Sequence, residues 1–124
     1  MIMGIGTDII EIDRIEKAVK STKLFIDKLF TEKEITMFEL RGFKSEIIAG
    51  NFAAKEAISK ALGTGFRNIG LKDIEVLRDD LGKPVVNLSN NVYDILKRRD
   101  INMHLSISHN RTSAIAYAVI EVVE

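Results

Sequence analysis

Asp8 and Glu56 are carboxylates set where folding alone would not place them. Asp8 interrupts the apolar run Gly4-Ile5-Gly6-Thr7-Asp8-Ile9-Ile10, and Glu56 sits in the alanine-rich stretch Phe52-Ala53-Ala54-Lys55-Glu56-Ala57. A charge in such surroundings is costly unless it is paired, hydrogen-bonded or bound to a metal, which makes the two a candidate site. Two carboxylates plus water form an oxygen-only donor set suited to Mg²⁺, an ion that keeps several waters and shares its shell with substrate phosphates. Lys60, one helical turn beyond Glu56, adds a cation, and Gly63-Thr64-Gly65 offers close backbone approach to those phosphates.

Plainer readings stand beside these. Glu56 and Lys60 have the spacing of an intrahelical ion pair worth about 0.3–0.5 kcal/mol. Asp8 also suits an edge strand or the cap of the following helix, although Glu11 and Asp13 are available for capping. His109 ends the alternation Met103, Leu105, Ile107 and serves equally as a neutral strand-end residue or a phosphate contact. With two histidines and no cysteine, zinc ligation and thiolate chemistry have no candidates, and no nucleophile elbow, Walker loop or full dinucleotide fingerprint occurs.

The elements that must position these residues follow from periodicity and caps. Ile2 to Ile10 reads as a buried strand, and Asp13 as the cap of a helix through Ile15, Ala18 and Val19, whose apolar face resumes at Phe25, Ile26 and Leu29. Thr31 and Glu34 have capping-box spacing for a short helix ending at Gly42. Ser45 begins the longest helix, which runs to Leu62 and stops at Gly63. Ala49, Ala53, Glu56 and Lys60 share one stripe of it, while Ile47, Ile48, Phe52, Ile58 and Leu62 give most of its circumference an apolar surface. Ile74 to Arg78 and Val85 to Leu88 read as strands joined by the turn Asp79 to Pro84, then a helix over Asn90 to Arg99, then two strands forming a central antiparallel pair. The class is α+β, an antiparallel sheet packed against a long buried helix, and the 124 residues are expected to form a single domain.

Lys plus Arg and Asp plus Glu are equal at 18 each, so the chain as a whole carries no electrostatic footprint for nucleic acid. Between Arg14 and Lys28, however, five bases (Arg14, Lys17, Lys20, Lys23, Lys28) face two acids (Glu16, Asp27), a patch for an acidic partner or simply a solvated helix face. No apolar stretch approaches the ~20 residues of a membrane helix and no secretory leader is visible, so a cytoplasmic protein is expected.

Taken together, residues 4–15, Phe52-Ala53-Ala54-Lys55-Glu56-Ala57, Ser59-Lys60-Ala61, Gly82-Lys83-Pro84 and Ser106-Ile107-Ser108-His109 closely resemble the holo-acyl-carrier-protein synthases, the small phosphopantetheinyl transferases, over essentially the whole chain. The resemblance implies Mg²⁺-dependent transfer of 4′-phosphopantetheine from coenzyme A to a serine of apo acyl carrier protein in fatty acid biosynthesis, by a homotrimer with active sites at subunit interfaces. It makes Asp8 and Glu56 the magnesium ligands, gives Lys60 and His109 phosphate-side roles and puts Lys83 and Pro84 near the adenine. On that reading Gly63 and Gly65 approach the coenzyme, Glu56 takes the serine proton directly or through a metal-bound water, and Arg14, Lys17 and Lys20 with Phe25 as apolar anchor receive the acidic carrier. Asn51 stands where the family often has a basic residue, so a phosphate contact there is either missing or replaced by Lys44, Arg67 or Arg111. Two competitors are a phosphate-binding oligomerisation module without catalysis and a Mg²⁺-dependent nucleotide hydrolase.

Overall fold

The computed structural model describes residues 1–22, 24–63 and 68–123. Strand β1 (Ile2–Glu11) leads into helices α1 (Ile12–Ser21), α2 (Leu24–Leu29), α3 (Glu32–Leu40) and α4 (Ser45–Leu62). A 3₁₀ turn (Leu71–Asp73), the hairpin β2 (Ile74–Arg78) and β3 (Pro84–Leu88), helix α5 (Asn90–Leu96) and strands β4 (Ile101–His109) and β5 (Ser113–Val122) follow. The main sheet is antiparallel in the order β1-β5-β4, and β2-β3 form a second, two-stranded antiparallel sheet. The α+β class and the sheet against a long buried helix are as expected.

Helix α4 lies across one face of the main sheet. Alternate residues of β5 (Ala114, Ala116, Ala118, Ile120, Val122) turn inward, and Ala116, Ala118 and Ile120 cluster with Ala53, Ala54, Ala57 and Ala61 of the helix. Small residues on both sides let the layers approach closely, and β1 takes this furthest. A Cβ on Gly4 would lie 1.9 Å from the Ala61 carbonyl oxygen, and one on Gly6 would lie 2.0 Å from that of Ala57. Gly4 and Gly6 are therefore the packing seam between strand and helix, and the seam sets how far Asp8 stands from Glu56 and Lys60. A second cluster under α1 to α3 gathers Ile12, Ile15, Phe30, Phe38 and Ile48, with Phe30 edge-on to Phe38 at 4.9 Å between ring centroids.

Three local expectations change. Helix α1 begins at Ile12 with Glu11 in the cap position and no side-chain cap; Asp13 lies inside the first turn, where its charge favours the helix dipole. Helix α5 stops at Leu96 because Lys97 adopts a left-handed conformation, φ 57°. Pro84 is the first residue of β3 and not part of the turn, pairing with Arg78 at the turn end of the hairpin, where a missing N–H is tolerated. The Thr31–Glu34 capping box and the left-handed Gly63 stop of α4 are both present.

Candidate active site

The β1–α4 seam brings Asp8 to Lys60. The Lys60 ammonium donates to Asp8 Oδ1 at 3.3 Å and to the Thr7 carbonyl at 3.0 Å, so it reaches across to the strand and is not spent on an ion pair with Glu56. The stripe drawn through Ala49, Ala53, Glu56 and Lys60 runs from core to surface. Its two alanines are fully buried, Glu56 is half-buried, and Lys60 is exposed. Asp8, Glu56 and Lys60 line one cleft of about 490 Å³, together with Arg14 of α1, Phe25 of α2 and Phe52 of α4. Phe25 stacks on Phe52 with centroids 6.4 Å apart and forms the apolar wall.

Burial raises the Glu56 pKa above the ordinary carboxylate value, and the negative charge of Asp8 raises it further, against a smaller opposing pull from Lys60. Two acids close enough to resist each other's ionisation, in a partly dry cleft, call for a cation between them. Among the described residues no third His, Cys, Asp or Glu completes a metal-binding cluster. The donor set is thus two carboxylates with room for water and ligand oxygens, which fits Mg²⁺ better than metals that need a full protein shell.

The other expected site residues fall elsewhere. Lys83 and Pro84 line a separate cleft of about 480 Å³ with Asp79, Tyr93, Asn102 and Met103, so no single chain brings them to the Asp8–Glu56 cleft. His109 is exposed at the end of β4 and is not among the side chains lining the Asp8 cleft. Gly63 is the exposed, left-handed end of α4, φ 77°, while Gly65, Lys23 and Arg67 lie outside the described residues. Lys17 and Lys20 are exposed on α1, Lys20 bound to Glu16 at 3.0 Å; among the described residues of the basic patch, Arg14 alone lines the cleft.

Two features escaped the sequence reading. Lys55, beside Glu56 but turned about 100° round α4 into the interior, is fully buried and donates to Glu34 Oε1 (2.6 Å), Leu71 O (2.8 Å) and Leu29 O (2.9 Å). Burial pulls its pKa down, and the Glu34 carboxylate opposes that. Asn51 is equally buried, its amide donating to Glu34 Oε2 and to the Val76 carbonyl. Its side chain therefore belongs to the interior and offers no surface phosphate contact. The charged residues Lys55 and Glu34 within apolar helix surfaces were the available signal, the same one that singled out Glu56. The second feature is a cleft of about 680 Å³ between α3 and β2, lined by Met37, Leu40, Leu77, Arg41 and Arg78 among others. Burial and the neighbouring Arg41 lower the Arg78 pKa, and its Nη1 is buried with no partner among the described residues.

The profile of the 4′-phosphopantetheinyl transferase superfamily matches residues 4–118. The chain is 63% identical to the holo-[acyl-carrier-protein] synthase of Clostridium beijerinckii, covering 99% of this chain and all of that protein. Among solved structures it is similar to the holo-(acyl-carrier-protein) synthase of Bacillus anthracis in complex with CoA (3′,5′-ADP), at 42% identity, TM-score 0.81 and 98% coverage of both chains. It is also similar to the Helicobacter pylori enzyme in complex with coenzyme A, at 38% identity and TM-score 0.83, covering 94% of this chain and 99% of that one. With strand, buried helix and cleft arranged as described, and relatives matched from end to end, the chain belongs to the 4′-phosphopantetheinyl transferase superfamily, on its holo-[acyl-carrier-protein] synthase branch.

Proposed function

We propose that this protein transfers the 4′-phosphopantetheine arm of coenzyme A to a serine hydroxyl of apo acyl carrier protein, in a Mg²⁺-dependent reaction that serves fatty acid biosynthesis in the cytoplasm. The observation that carries this reading is the meeting of Asp8, Glu56 and Lys60 in a cleft whose other walls are Arg14 and Phe25. Chemistry at the floor and a basic, apolar rim are what a pyrophosphate donor and an acidic protein acceptor require together.

Asp8 and Glu56 would hold the ion, which when bound neutralises pyrophosphate charge. Lys60, tethered to Thr7 O and Asp8, presents its remaining N–H to the donor and offsets charge on the leaving side. The serine oxygen forms a bond to the phosphorus that carries pantetheine, the bridging P–O bond breaks, and adenosine 3′,5′-bisphosphate leaves. The serine proton passes to Glu56, whose raised pKa makes it a better acceptor near neutrality than an ordinary carboxylate.

The same reading includes a homotrimer. On the sheet face away from α4, Ile5, Ile9, Ile115 and Tyr117 are 59%, 66%, 43% and 48% exposed, an apolar surface with reason to be covered. Lys83 and Pro84, being remote from Asp8 within one chain, would then meet a coenzyme held by a neighbouring copy.

Incubation with coenzyme A, Mg²⁺ and apo acyl carrier protein, followed by intact mass measurement of the carrier, tests the proposal. A phosphopantetheine adduct that vanishes with chelator is expected. Hydrolysed coenzyme with an unmodified carrier would instead identify a nucleotide hydrolase, and Mg²⁺-independent coenzyme binding without reaction a binding module.

A further inference from the structure

Helix α2 has six residues, none fully buried. A helix that short does not hold itself together in water, so its docking has to come from outside. It carries Phe25, the apolar wall of the Asp8–Glu56 cleft, and one turn of α4 grips it at both ends. At the start Phe25 stacks on Phe52. At the finish the Leu29 carbonyl, one of the unpaired C-terminal acceptors of α2, takes a 2.9 Å hydrogen bond from Lys55, three residues beyond Phe52 on the same side of α4. The Lys55 ammonium stands 5.0 Å from the centroid of the Phe30 ring, and Phe30, which follows α2, is fully buried against Phe38. Its remaining donors go to Glu34 and Leu71, so all are used inside the protein and none is left for substrate.

We propose that Lys55 is a positioning residue that seats α2 against α4, and so sets where the Phe25 wall stands for the incoming acyl carrier protein. The link to the carrier rests on the proposed function; the seating of α2 does not. A cation at a helix C-terminus that also donates to its last carbonyl is well placed for this task. Glu56, the next residue of α4, is turned about 100° round the helix from Lys55, and its place is set by the packing of α4 on β1, so loosening α2 leaves the coenzyme and metal side in place.

Lys55→Met alone strands the buried Glu34 charge and risks unfolding, so the variant to compare with it is the double Lys55→Met/Glu34→Gln, which removes both charges together. Amide hydrogen exchange is read over residues 24–30 and over α4 in each variant that folds. Loss of one charge-assisted hydrogen bond is expected to speed exchange in α2 by about tenfold or more while α4 stays protected. In the transfer assay the KM for apo carrier should rise by a similar factor, with the KM for coenzyme A unchanged and kcat within about twofold. Equal loosening of α2 and α4, or α2 protection identical to the unmodified protein, overturns the proposal, as does a rise in both KM values together. Selective loosening of α2 in a protein that never modifies a carrier would uphold the seating and refute the transferase reading instead.

Discussion

Gly6→Ala tests whether the β1–α4 seam governs the chemistry. The new Cβ would lie 2.0 Å from Ala57 O and 2.8 Å from Ala61 N, both backbone atoms of a helix fixed in the core. To restore an ordinary contact near 3.4 Å, β1 must withdraw by about 1.4 Å. Asp8 lies two residues on and points to the same face, so it moves too, and its 3.3 Å contact with Lys60 stretches beyond hydrogen-bonding range. Overpacking of this kind costs about 1–3 kcal/mol, and a catalytic group displaced by about 1 Å loses on the order of 10²-fold in rate. The assay pairs carrier modification, followed by intact mass at saturating coenzyme A and Mg²⁺, with thermal unfolding by circular dichroism. Gly42→Ala is the control: nothing lies within 4 Å of its Cβ, but its φ of 73° is strained for alanine, so it should lose about 1 kcal/mol of stability and no turnover. If Gly6→Ala melted like the unmodified protein and turned over within about threefold of it, the seam would not control the site and the reasoning would be wrong.

Arg14→Glu reverses a charge at the cleft rim, so at low salt the KM for apo carrier should rise by about tenfold, shrinking as ionic strength increases, with coenzyme A binding unaffected. A change that ignores salt would point to lost packing. In metal-free protein the raised Glu56 pKa gives stability that is fully present below the unfolded-state value and is lost as pH rises through the folded value. Glu56→Gln should therefore melt higher than the unmodified protein at neutral pH with chelator present, by under about 1 kcal/mol since water screens a half-buried group, and the gap should close in acid. A gap that widened in acid would reverse the sign of this argument.

Features written locally were legible. The Thr31–Glu34 box, the Gly63 stop and the hairpin between Arg78 and Pro84 each depend on residues a few positions apart. Asp8 and Glu56 were legible as misplaced charges. Lys55 and Asn51 were not, because what satisfies them comes from Leu29, Glu34, Leu71 and Val76, between 16 and 26 residues away along the chain. Nothing local marks Gly4 and Gly6 as a contact surface, which only the path of α4 reveals. Lys60 likewise chose a strand partner over its helical neighbour once β1 was laid beside it.

The most direct measurement is divalent-ion binding to the complex with coenzyme A, using Mn²⁺ as a paramagnetic substitute for Mg²⁺ and comparing the unmodified protein with Asp8→Asn and Glu56→Gln. If both acids share the ion, each substitution weakens Mn²⁺ binding by at least about tenfold while the fold, seen by circular dichroism, is retained. Undiminished binding in either variant would contradict the account.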